Sequence, residues 1–134
     1  MIGSSGLIGS HLLNLLLESS HYDKVVTFVK RDTGIKHPKL TQHIIDFDKP
    51  ETYKELVVGD DLFCTIGTTI KKAGSQNAFR KVDFEYPSKF AAFALLNKVK
   101  HYLIISSLGA DAKSGNFYLK TKGEIQDFLK DCNF

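Results

Sequence analysis

Three glycines at intervals of three, in Gly3-Ser4-Ser5-Gly6-Leu7-Ile8-Gly9, run directly into the leucine-rich stretch LIGSHLLNLLL. Glycines so spaced let backbone approach a pyrophosphate. A helix that starts there offers the phosphates its unpaired N–H groups and the positive end of its dipole. No acidic residue appears before Glu18, so nothing in the first turns repels an anion. The same glycines would also suit a tight turn and close helix packing. What favours the phosphate reading is the context of a helix followed by a strand.

Within that stretch Ile8, Leu12, Leu15 and Leu16 fall at i, i+4, i+7 and i+8, which predicts a helix from about Gly6 to Ser20 burying this face. The runs Val25–Val29, Leu62–Ile66 and Tyr102–Ile105 are rich in β-branched and aromatic residues and barely alternate, as in parallel strands covered on both faces. His43–Ile45 is a shorter candidate. Helical patterns occupy Glu51–Val57, Ser75–Val99 with a break near Pro87, and Gly115–Cys132. Phe79, Phe84, Phe90 and Phe93 read as core of the long segment. Alternating strands and helices predict an α/β fold, a doubly wound parallel sheet with right-handed crossovers. With 134 residues, no repeat and no linker, residues 1–134 read as one domain.

Composition narrows the function classes. Lys plus Arg outnumber Asp plus Glu 18 to 15, and the net +3 is spread along the chain, so nucleic acid is not implied. Five histidines fall at no ligand spacing, and no metal site is expected. Cys64 and Cys132 read as free thiols rather than a disulfide framework. No apolar run approaches the ~18 residues of a membrane helix, and no charged-then-apolar leader opens the chain, so a soluble, cytoplasmic protein is expected.

After the second predicted strand the chain reads Val29-Lys30-Arg31-Asp32. In a dinucleotide-binding fold an acidic residue here accepts from a free ribose 2′-hydroxyl, whereas a cation accommodates a 2′-phosphate. Lys30 and Arg31 come first and Asp32 lies further out, which points to NADP, with NAD as second choice.

A second constellation lies near the far end. Ser106 and Ser107 follow a strand, and Tyr118 and Lys122 stand four apart on one helical face that continues through Ile125 and Leu129. Lysine is unusual in such a stripe, and chemistry supplies a reason for it. A phenol of pKa ~10 is a poor acid–base catalyst at neutral pH until a nearby ammonium stabilises its phenolate. The same lysine can hold a nicotinamide ribose, and a serine hydroxyl can hold the substrate oxygen. Tyr118, Lys122 and one of the adjacent serines, Ser106 or Ser107, are therefore the candidate catalytic groups.

Taken in order, GSSGLIGSHLL, VVTFVKR, CTIGTT, ISSLGA and YLKTKGE resemble the short-chain dehydrogenase/reductases, specifically the atypical group that includes Tat-interacting-protein-like and NmrA-like members. The resemblance covers nearly the whole chain. It implies a Rossmann-like fold with NADP or NAD held at Gly3, Ser5, Gly6, Leu7, Ile8, Gly9 and Lys30 or Arg31, Asp46 near the adenine, and Gly67 and Thr68 lining the cofactor. It also implies hydride transfer between NADPH and a carbonyl or alcohol of a small-molecule substrate, through a catalytic set of Ser107, Tyr118 and Lys122, with Ser106 the alternative serine because two stand side by side.

Two alternatives are kept: an NADP-binding regulatory or interaction module without turnover, and a sugar-nucleotide epimerase or dehydratase. A homo-oligomer or a protein partner is left open. Against the family pattern, only Met1 and Ile2 precede the glycine loop where a first strand should run. The chain stops at Phe134, where relatives continue into further strands. The expectation is a chain truncated at both ends, its first strand a stub that forms little ladder and its C-terminal strands missing. Such a domain should have reduced stability, partial cofactor affinity and poor turnover.

Overall fold

In the computed structural model, which describes residues 1–134, the glycine loop leads into α1 (Leu7–Glu18). Then follow β1 (Val25–Val29), β2 (Leu40–Ile44), β3 (Asp61–Cys64), α2 (Ile70–Ala73), α3 (Gln76–Arg80), α4 (Tyr86–Leu96), β4 (His101–Ile104) and α5 (Phe117–Cys132). β1 pairs in parallel with β2, Val25 opposite Leu40, and β3 pairs in parallel with β4, Asp61 opposite His101.

Met1 and Ile2 join the two pairs. The Phe28 N–H donates to Met1 O at 3.1 Å, the Ile2 N–H donates to Phe63 O at 2.9 Å, and the Thr65 N–H donates to Ile2 O at 3.0 Å. Across the sheet the order is β2, β1, the Met1–Ile2 segment, β3, β4. The central ladder is short, as expected of a stub, with a single bridge to each neighbour at Ile2, yet its hydrogen bonds join the two pairs. In a parallel sheet alternate residues bond to alternate neighbours, so Met1 serves β1 and Ile2 serves β3. Side chains alternate in the same way. Met1 packs with Leu13, Leu16, Leu17 and Val25 beneath α1, while Ile2 packs with Phe28, Leu62, Cys64 and Phe90 beneath α4. Helices therefore lie on both faces, as a doubly wound α/β sheet requires.

α1 does not bury the face its leucines predict. Leu13, Leu16 and Leu17 are buried, whereas Ile8 is 52% and Leu15 65% exposed. Gly9 sets this rotation: a Cβ there would stand 1.8 Å from Gly3 O, so only glycine lets the helix rest on the loop. Leu13 and Leu16 follow Gly9 at i+4 and i+7 and turn inward with it. Gly3 itself has φ +86°, the left-handed region, and a Cβ on it would meet the Thr65–Ile66 backbone at 2.5 Å.

Three other expectations need correction. The Glu51–Val57 helix is instead two 3-10 turns, Pro50–Thr52 and Lys54–Leu56. Carbonyls of Lys54 and Val57 accept from the Asn97 side chain, and Tyr53 is pulled fully inside to stack on Phe90 at 5.2 Å. Coverage on both faces fails at β4 and just past it, where Leu103 is 46% and Ile105 45% exposed, because the cluster beneath α1 takes in residues of β1, β2, β3 and Met1 but none of β4. The helix also does not break near Pro87. α3 continues through a π-helical turn, Lys81–Glu85, into α4, and the proline's missing N–H and its ring fall beside that widened turn. Phe79 and Phe90 are fully buried as expected, and no disulfide forms between Cys64 and Cys132.

Candidate functional site

At the carboxyl ends of β1 and β3 lies a cleft of about 530 Å³, walled by Gly3, Ser5, Lys30, Arg31, Thr68 and Tyr86 among others. Its floor is the glycine loop. Gly6 precedes α1 and its N–H donates to Gly3 O at 3.2 Å, but no side chain caps the helix and no acidic residue occupies the first turn. The N–H groups of Ser5, Leu7 and Ile8 have no acceptor within the chain. Unpaired donors at a helix start with positive dipole are an anion seat. The side chains of Lys30 and Arg31 are exposed at one wall.

Not every expected contact faces this cleft. Gly9 is spent on packing against Gly3 rather than on the cleft. Asp46 does not line it; its Oδ1 accepts from the Asp48 N–H at 2.9 Å, closing a local turn, and the next residue, Phe47, provides the wall.

The second half of the site is assembled around a residue the sequence reading missed. Lys122 is buried on α5, and its ammonium pairs with Oδ1 of Asp83, also buried. Oδ2 of Asp83 accepts from the Thr68 N–H at 3.0 Å. A Cβ placed on Gly67 would lie 3.5 Å from that carboxylate and 3.7 Å from Lys122 Nζ, so the Gly67–Thr68 loop, Asp83 and Lys122 form one unit at the edge of the cleft. The π turn carries Asp83 there; such turns recur at functional sites because they re-aim one side chain. Burial pushes the Asp83 carboxyl up, against the pull of the Lys122 ammonium and the Thr68 N–H. A signal was available in the sequence. Lysine in an apolar stripe demands a buried counter-charge, and Asp83 stands alone among apolar positions of the long helix.

Tyr118 is half-buried, its ring 5.4 Å from that of Phe79, and Lys122 Nζ lies 5.6 Å from the Tyr118 ring centroid, within cation–π reach. The two adjacent serines differ. Ser106 Oγ accepts from Gln126 Nε2 at 2.6 Å, while the Ser107 hydroxyl makes only a 3.3 Å bond to Leu108 O. Ser106 is held to α5, and Ser107 is the less committed hydroxyl.

A parallel sheet with helices on both faces, a glycine loop at its central strand and a cleft outside its carboxyl edge define a Rossmann-type nucleotide-binding domain. Free loop N–H groups and two cations fit the phosphates of a dinucleotide. Residues 3–133 match the NAD(P)H-binding family, and the chain belongs to it.

Among curated proteins the chain is 33% identical over 138 residues to Protein HTATIP2 of Rattus norvegicus, spanning all of this chain and 57% of that protein. It is 32% identical to Protein FMP52, mitochondrial, of Debaryomyces hansenii, spanning all of this chain and 60% of that protein. The chain thus spans less than two thirds of these relatives. In three dimensions it resembles the Bordetella bronchiseptica enzyme WbmH in complex with NAD+ (TM-score 0.80, 22% identity, 99% of this chain and 51% of that one). It also resembles the Citrobacter triphenylmethane reductase complexed with NADP(H) (TM-score 0.70, 14% identity, 98% and 45%). These likenesses establish the fold.

The expected cytoplasmic location does not stand, because the FMP52 relatives of several fungi are named mitochondrial. Cysteine usage separates oxidising from reducing compartments and cannot tell one reducing compartment from another. No helix is long and apolar enough to cross a membrane.

Proposed function

We propose that the chain serves an NADP-dependent oxidoreductase of the short-chain dehydrogenase/reductase type, moving hydride between NADPH and a carbonyl or alcohol of a small-molecule substrate. What carries this reading is the nearness of Lys122 to the Gly67–Thr68 loop of the cleft, with Tyr118 one turn earlier on the same helical face. Bound NADPH would supply the hydride. Tyr118 gives its phenolic proton to the substrate oxygen, Lys122 steadies the phenolate and holds the nicotinamide ribose, and Ser107 orients the substrate oxygen. Lys30 and Arg31 take the 2′-phosphate. The FMP52 relatives support a mitochondrial setting.

A second reading, an NADP-binding module without turnover, draws on Asp83. A carboxylate against the Lys122 ammonium opposes the positive field that Tyr118 needs. An epimerase or dehydratase would use the same tyrosine, lysine and serine. Fluorescence titration of NADPH and NADH tests the cofactor, and failure of both to bind overturns all three readings. Tyr118→Phe should abolish turnover while sparing NADPH affinity. Turnover that survives it removes the tyrosine from the mechanism, and a wild-type protein that binds NADPH but turns over no carbonyl, alcohol or nucleotide sugar supports the module.

A further inference from the structure

We infer that Gln42 is a specificity-determining residue for the cofactor, its carboxamide engaging the Asp32 carboxylate and so withholding that acceptor from a ribose diol. The inference rests on the NADP reading above and deepens it.

Asp32 is the one acidic group lining the cleft beside Lys30 and Arg31, and it is the residue type that would favour NAD. It is not free. Gln42 Nε2 donates to Asp32 Oδ1 at 2.9 Å, and the same oxygen accepts from the Gly34 N–H at 2.8 Å. From its other end the amide accepts from Thr33, at 2.6 Å from Oγ1 and 3.3 Å from the backbone N–H. Gln42 projects from β2 opposite Thr27 of β1, so one side chain ties β2 to the loop that follows β1.

The chemistry follows from counting acceptors. A ribose with free 2′- and 3′-hydroxyls presents two donors, and a carboxylate that receives both uses both oxygens. Oδ1 already accepts two N–H donors, which leaves Oδ2 alone for the diol. A 2′-phosphate has no hydroxyl to donate there, needs nothing from Asp32, and is drawn to the two cations beside it. Gln42 therefore costs NADH a contact and costs NADPH none. The two donors also hold the Asp32 carboxyl below its usual range, so it stays ionised while it is engaged.

The test is a two-residue cycle read by cofactor binding. NADPH and NADH are titrated by fluorescence against the wild type, Gln42→Ala, Asp32→Asn and the double variant. Releasing Asp32 in Gln42→Ala should tighten NADH and lower the NADPH:NADH affinity ratio by about tenfold, the worth of one charge-assisted hydrogen bond. Asp32→Asn should cost NADH only the contact through Oδ2 in the wild type, and more in the Gln42→Ala background, where it also reverses the gain.

A ratio unchanged in Gln42→Ala, or an Asp32→Asn effect equal in both backgrounds, overturns the inference while leaving NADPH preference standing. A wild type that prefers NADH overturns the NADP reading and this inference together. Gln42→Met fills the same space without the amide, and its ratio decides the matter should Gln42→Ala fail to fold.

Discussion

A buried ammonium needs a counter-charge, and the Lys122–Asp83 pair makes its two members interdependent. Asp83→Ala strands Lys122 in the interior and should cost about 3–5 kcal/mol, read from urea unfolding. Replacing both, Asp83→Leu with Lys122→Met, should cost far less, since no lone charge remains. A double variant as unstable as Asp83→Ala would show that burial of charge is not the cause. Gly9 is equally intolerant for a different reason. A methyl at 1.8 Å from Gly3 O must push α1 off the loop, so Gly9→Ala should lose about 1–3 kcal/mol and weaken NADPH binding together. A thermal melt and a titration on the same sample check both halves.

At the level of elements, the π turn does what a regular helix would not, presenting Asp83 to a lysine 39 positions later. In a solvent-exposed helix interior, replacing proline by alanine gains up to about 3 kcal/mol. Here Pro87→Ala should instead lower Tm, because Pro87 is fully buried beside the turn and its loss lets the register of Lys81–Glu85 relax towards α geometry. A rise in Tm would show that the turn does not depend on the proline.

Three strands were legible from their apolar runs, whereas β2, expected as His43–Ile45, runs Leu40–Ile44 and carries Thr41 and Gln42, which break its apolar pattern. β1 has the expected bounds, and β3 and β4 begin one residue earlier than expected and end before it. The inward face of α1 was not legible, since a leucine-rich helix offers several apolar stripes and a backbone contact at Gly9 chooses among them. That Tyr118 and Lys122 share a face of α5 was legible from their four-residue spacing. Asp83 was legible only in part: a buried lysine calls for a counter-charge, but this one lies 39 positions away and is aimed by a π turn that leaves no periodic trace.

At the scale of the whole molecule, the two pairs of strands are joined through Met1 and Ile2.

Two residues of backbone thus fasten one half of the sheet to the other, and the cleft straddles that seam. Lys30 and Arg31 belong to the β1 side, Thr68 to the β3 side. A dinucleotide lying across it would act as a cross-brace, so NADPH should slow amide exchange at Ile2, Phe28 and Thr65, the seam's backbone donors, more than anywhere along the β3–β4 ladder.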